Sequence, residues 1–235
     1  MKSYDICLQH PARILVYGAS FSGKTTLVFK LLKNQELIFN LKFDRIIYCS
    51  AVNTISNELT QIGGDQDVEI YDYLDKSLIE NLDEKLNNCI IVDDSMHRGA
   101  NDLNLSDLYT KHSHHSNTTV IFIVQNLFPK SEYISDIKRN SSYIILMANP
   151  SANKSIKLFS SQIDPENPKF IYECFLDSTR DKPYSHLLLD LHQTQDNKVR
   201  VRSNILAEYG QHPICYVKIS EHSEMSRRVG PVGKN

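Results

Sequence analysis

The run from Arg13 to Thr25, RILVYGASFSGKT, constrains the fold more than any other stretch of the chain. Arg13 to Tyr17 is the aliphatic run of a buried strand. Gly18 to Gly23 is a loop of mostly small residues. From Thr25 to Lys33, Leu27, Val28, Leu31 and Leu32 fall on one helical face. Within that strand–loop–helix context, Gly18-Ala19-Ser20-Phe21-Ser22-Gly23-Lys24-Thr25 matches GxxxxGK[ST], the P-loop pattern. Gly18 and Gly23 allow backbone angles that a side chain would obstruct. The N–H groups of the loop, with Thr26 beyond it, converge on phosphate at a helix N-terminus. Lys24 is placed to reach the β- and γ-phosphates of ATP, and the Thr25 hydroxyl to ligate Mg²⁺.

The rest of the chain repeats the rhythm. Arg45–Ser50 and Val68–Tyr71 read as strands, Leu74–Leu86 as a helix with leucines every fourth residue, and Cys89–Val92, Thr118–Val124 and Tyr143–Met147 as strands. Strands alternating with helices predict an α/β fold with a mostly parallel central sheet flanked by helices. The last third differs. Ser185–His192 and the alternating Lys198–Arg202, around a polar turn, predict a C-terminal β-hairpin whose outward face carries Lys198, Arg200 and Arg202. With no internal repeat, residues 1–219 read as one domain and the polar residues 220–235 as a mobile tail.

Ile90-Ile91-Val92-Asp93-Asp94 is a strand running into two acids, the Walker B pattern. Asp93 would hold Mg²⁺ through water, and Asp94 would activate the attacking water. Gln125, at the end of the next apolar strand, is a candidate sensor of the γ-phosphate, with Asn126 its neighbour in that role. Lys111, His112, His114 and His115 form an HxHH cluster; no Cys or carboxylate pattern joins it, so it reads as structural or nucleic-acid-facing rather than metal-binding.

Composition limits the partners. Lys and Arg total 26 against 28 Asp and Glu, so a polycation that coats nucleic acid is excluded, and DNA contact must come from local patches or from several copies of the chain. The 41% hydrophobic content excludes disorder over most of the chain. The five cysteines are scattered and odd in number, as expected of reduced thiols in an intracellular protein. The N-terminus has no signal-peptide pattern, and the longest apolar run, Val120 to Val124, is too short to span a bilayer.

Three stretches carry a resemblance to a known family: HSHHSNTTVIFIVQNLF (His112 to Phe128), NSSYIILMANP (Asn140 to Pro150) and YSHLLLDLHQTQDNKVRVRSNI (Tyr184 to Ile205). With the two Walker motifs, they make residues 10–206 similar to genome-packaging ATPases of the FtsK/HerA type, nearest to the poxvirus-type enzymes of Polinton-type elements and adintoviruses. The resemblance implies a RecA-like P-loop NTPase core with the catalytic acid on its own added strand. It implies a homo-oligomeric ring that hydrolyses ATP with Mg²⁺ and pumps double-stranded DNA into a preformed capsid at its portal vertex. On it, Lys24 and Thr25 are phosphate and metal ligands, Asp93 and Asp94 the Walker B acids, and Gln125 the sensor. Where relatives often carry a basic residue after the Asn-Pro pair, this chain has Ser151, so the arginine acting in a neighbour's site is sought elsewhere: Arg139 first, Arg98 second. The compartment implied is the host nucleus or a cytoplasmic assembly site, or the virion itself. Two alternatives share these residues: a related motor or helicase of replication or mobilisation, and a nucleotide-binding assembly factor without turnover.

Overall fold

A computed structural model describes residues 4–50, 68–93, 103–112, 116–128, 132–149, 153–180, 183–206 and 212–218, without the side chains of residues 111, 112 and 132. Asp94, Arg98, His114, His115, Ser151 and the tail 220–235 lie outside these residues.

The strands are β1 (Arg13–Tyr17), β2 (Arg45–Cys49), β3 (Val68–Tyr71), β4 (Asn88–Asp93), β5 (Thr118–Val124), β6 (Tyr143–Met147), β7 (His186–Asp190), β8 (Val201–Ser203) and β9 (Ile214–Tyr216). They form one sheet in the order β3-β2-β4-β5-β1-β6-β7-β8-β9. Every pair from β3 to β6 is parallel. The remaining three pairings are antiparallel. The expected α/β architecture is therefore present. β5, buried at every position, separates the P-loop strand β1 from the acid-bearing strand β4. The strand that parts them thus ends at Val124, just before Gln125, and the acid-bearing strand lies one further out.

The helices are α1 (Lys24–Lys33), α2 (Gln35–Ile38), α3 (Lys76–Glu80), α4 (Leu103–Asp107, passing into a wider turn over Leu108–His112), α5 (Glu132–Asn140), α6 (Asn153–Ile163) and α7 (Phe170–Thr179). Alternate strand residues face opposite layers. Leu15, Ile90, Phe122 and Ile144 pack with residues of α3 to α7. Ile14, Ile91, Ile121 and Ile145 pack with Leu27, Val28, Leu31 and Leu32 of α1. A sheet covered on both faces requires strands that are apolar throughout, which is why β5 and β6 show no alternation.

Three expectations change. The helix predicted over Leu74–Leu86 is only Lys76–Glu80. Asp75 caps its start by accepting from the Ser77 N–H. Beyond Asn81 the chain turns, and the buried Asn88 side chain donates to the Asp83, Leu86 and Ser116 carbonyls, tying that turn down. The second arm of the hairpin is β8 alone, preceded by a short 3₁₀ turn over Asn197–Val199. Arg202 keeps to the face opposite Val201, but that face is covered too, so it is 1% exposed and paired with Asp190 at 3.2 Å. Arg200 folds over the turn and donates to the carbonyls of Asp190, His192 and Gln193. Of the three basic residues assigned to the outer face, Lys198 alone is exposed. The third strand of this extension, β9, and helices α6 and α7 were not legible in the sequence.

Candidate nucleotide site

The loop leaves β1 at Tyr17 and enters α1 at Lys24. Its start is tied to the sheet by the Gly18 N–H donating to the Val124 carbonyl at 3.2 Å. Within it, the Ser22 N–H donates to the Ala19 carbonyl at 3.2 Å, making a tight turn. Gly18 has no room for a side chain: a Cβ there would meet the Ser22 hydroxyl and come 2.7 Å from the Met147 Cβ. Gly23 sits at φ +85°, a conformation that favours glycine, and a Cβ there would lie 2.9 Å from the Tyr184 ring.

α1 opens at Gly23 with no side-chain cap, no acid in its first turn, and Lys30 and Lys33 in its last. The positive end of its dipole is therefore unopposed, and its first N–H groups suit an anion. Lys24 is only 7% exposed, and its Nζ donates to the Ala19 carbonyl at 2.8 Å, which holds the ammonium inside the curve of the loop. The Ser22 hydroxyl is buried there without a hydrogen-bond partner. A buried cation, an orphaned hydroxyl and bare backbone around two obligatory glycines fit a phosphate chain.

The two Walker motifs meet directly. Thr25 Oγ1 donates to Asp93 Oδ2 at 2.7 Å, although 68 residues separate them. The parallel register of β4 with β5, pairing Asp93 with Ile123, brings this carboxylate to the rim where the loop turns. A hydroxyl and a carboxylate in contact are hard oxygen donors of the kind Mg²⁺ takes, and they fit that ion. A third residue, Tyr48 of β2, donates its hydroxyl to the same Oδ2 at 2.8 Å. Burial, and then the negative Asp93, push the Tyr48 phenol far above its ordinary pKa, so it remains a donor. Sequence reading missed Tyr48. Its place follows from the pairing of Tyr48 with Ile91, two residues before Asp93.

Gln125 is also brought to the loop: its Oε1 accepts from the Ser20 hydroxyl at 2.8 Å. Asn126 instead caps a turn, its side-chain oxygen accepting from the Phe128 N–H at 2.9 Å. Arg139 is not brought to the site. It stands near the C-terminal end of α5, just before β6 begins, at the rim of the sheet opposite the loop, and pairs with Asp136.

No family model matches the sequence, and no curated protein matches it. Solved structures do. The chain is similar to the genome packaging NTPase B204 of Sulfolobus turreted icosahedral virus 2 in complex with AMP, at 16% identity and TM-score 0.49, covering 82% of this chain and 96% of that one. It is similar to B204, the DNA-packaging ATPase of Sulfolobus turreted icosahedral virus, at 18% identity and TM-score 0.46, over 77% and 92% of the two chains. The flagellar accessory protein FlaH of Methanocaldococcus jannaschii follows at 16% identity and TM-score 0.39, over 58% and 71%. The geometry around Lys24, Thr25, Asp93 and Gln125 is that of a phosphate-binding loop with a hydroxyl, a carboxylate and an amide gathered beside it.

Proposed function

We propose that the chain is an ATP-hydrolysing motor that moves double-stranded DNA into a preformed viral capsid. The observation that carries the ATPase half is the Thr25–Asp93 contact beneath the loop, which joins both Walker motifs at one point. The DNA-packaging half rests on the sequence resemblance over residues 10–206.

In this reading Lys24 and the loop N–H groups hold the β- and γ-phosphates. Thr25, and Asp93 through water, would hold Mg²⁺, which would supply positive charge to the phosphates. Asp94 takes a proton from the attacking water as its oxygen bonds the γ-phosphorus and the bond to the bridging oxygen breaks, leaving ADP and phosphate. Gln125 senses the change in phosphate through the loop. An arginine from a neighbouring subunit completes the site; because Arg139 stands at the rim away from its own loop, it could serve only the site of another subunit. Such a residue supplies roughly 10³- to 10⁵-fold in rate, so an isolated subunit turns over slowly. The working unit is a ring of single ATPase domains, residues 1–219, acting at the capsid vertex in the host nucleus or a cytoplasmic assembly site.

The test is steady-state ATP hydrolysis with and without long duplex DNA, for the wild type, Lys24→Ala and Asp94→Asn. Duplex-stimulated turnover, lost about 100-fold or more in both variants, is expected. ATP binding without turnover, with DNA present and at concentrations where rings form, would replace the motor by a nucleotide-gated assembly factor. Stimulation by single-stranded DNA alone would favour a helicase.

A further inference from the structure

The contacts of the loop give the site a direction. Thr25 and Ser20 reach Asp93 and Gln125, both on the β4–β5 side of β1. The far phosphates of a nucleotide therefore lie on that side, and its nucleoside leaves the loop toward the other side of β1, where β6 and then β7 lie. The end of β6 and the turn that opens β7 are each seated against one glycine of the loop. Met147, which pairs with His186, fills the space beside Gly18, and the Tyr184 ring lies on Gly23.

Tyr184 is unusual on two counts. It is 65% exposed despite that contact, and its backbone is left-handed at φ +60°. A tyrosine held in that region costs free energy, and such strain persists only where the surrounding structure imposes it. Two residues on, the His186 side chain is buried beneath the turn. Phe21 is the other aromatic of the loop, 97% exposed at φ +62°. Its ring stands clear at the loop tip, whereas Tyr184 meets the loop at Gly23 and leaves most of its surface to solvent.

We propose that Tyr184 is the platform on which the nucleobase of the bound nucleotide stacks. The proposal rests on the reading of the loop as a nucleotide site and names the residue that grips the end remote from the reaction. Stacking needs only the π-face of a base, so it favours nucleotides over bare polyphosphate without choosing strongly between ATP and GTP.

The experiment is titration calorimetry of ATP and of inorganic tripolyphosphate on the wild type, Tyr184→Ala, Tyr184→Phe and Phe21→Ala. Tyr184→Ala is expected to weaken ATP by about 5- to 150-fold and leave tripolyphosphate unchanged, which also reports a folded loop. Tyr184→Phe keeps the face and should bind ATP within about threefold of the wild type, the loss of one exposed hydroxyl contact being small. Equal weakening of both ligands would make Tyr184 a prop for Gly23 and overturn the platform, as would unchanged ATP affinity. Failure of Tyr184→Phe to retain affinity would assign the effect to the hydroxyl and overturn stacking. A separation of the two ligands by Phe21→Ala instead would place the base at the loop tip. A wild type that binds neither ligand would remove the nucleotide site itself.

Discussion

One oxygen of Asp93 receives two hydroxyls, from Thr25 at 2.7 Å and from Tyr48 at 2.8 Å. Hydrogen bonds to an ionised carboxylate are the stronger kind, and two of them fix its rotation. Tyr48→Phe removes one and keeps the ring in its buried place. The expected result is ATP affinity within about threefold of the wild type, turnover lowered roughly tenfold from a loss near 1.5 kcal/mol, and more Mg²⁺ needed for half-maximal rate. A Mg²⁺ titration of the ATPase rate checks it; unchanged Mg²⁺ dependence would leave Tyr48 as packing only. At this scale the sequence was informative where spacing is local. Gly18, Lys24, Thr25 and Asp93 are readable because loop geometry and strand ends impose their types. Tyr48 and Tyr184 are not, because a tyrosine in a strand or turn carries no signal until the sheet pairs its neighbours.

Among the elements, the C-terminal extension shows how a covered second face defeats an alternating pattern. KVRVR alternates, and Val199 and Val201 are both buried as alternation requires. Arg202 points to the opposite face, which is covered as well, and so enters the interior. There it meets Asp190 and also donates to the Ile6 carbonyl, so β7, β8 and the N-terminal segment are joined through one guanidinium. Removing one member of a buried ion pair strands the other. Arg202→Met should therefore destabilise by about 3–5 kcal/mol in urea unfolding, whereas Lys198→Ala should change stability by less than about 0.5 kcal/mol. Equal small effects would show that the pair is solvated. Helices α6 and α7 escaped the sequence reading for a related reason: in α6 the apolar stripe is thin, with Ile156 and Phe159 buried among Ser, Lys, Asn and Gln.

For the molecule as a whole, acid sensitivity follows from a base kept neutral. Burial lowers the His186 pKa to about 4, offset only in part by the Tyr184 backbone. The unfolded chain takes up this proton near pH 6.5, so between the two values it binds more protons than the folded chain. Stability is therefore complete above about pH 6.5 and declines as pH falls toward 4, by on the order of 3 kcal/mol from this residue. His10, with its pKa lowered by burial, acts in the same direction. Urea midpoints at pH 7 and pH 5 should differ in the wild type and differ less in His186→Leu, where His10 remains; an unchanged difference would place the titration elsewhere.

β6 has a further consequence. Tyr143 to Met147 are uncharged and wholly buried, with β1 on one flank and β7 on the other. During synthesis β6 emerges before β7, so for a time an apolar strand presents an open row of N–H and C=O groups. Such an edge is a template for another chain. A shortened chain ending near Asn149 should collect in inclusion bodies, while the full chain remains in the supernatant; equal recovery of both would mean that the bare edge is protected some other way. The antiparallel strands beyond β6 thus serve as a guard against self-association, independent of anything they contribute to the loop.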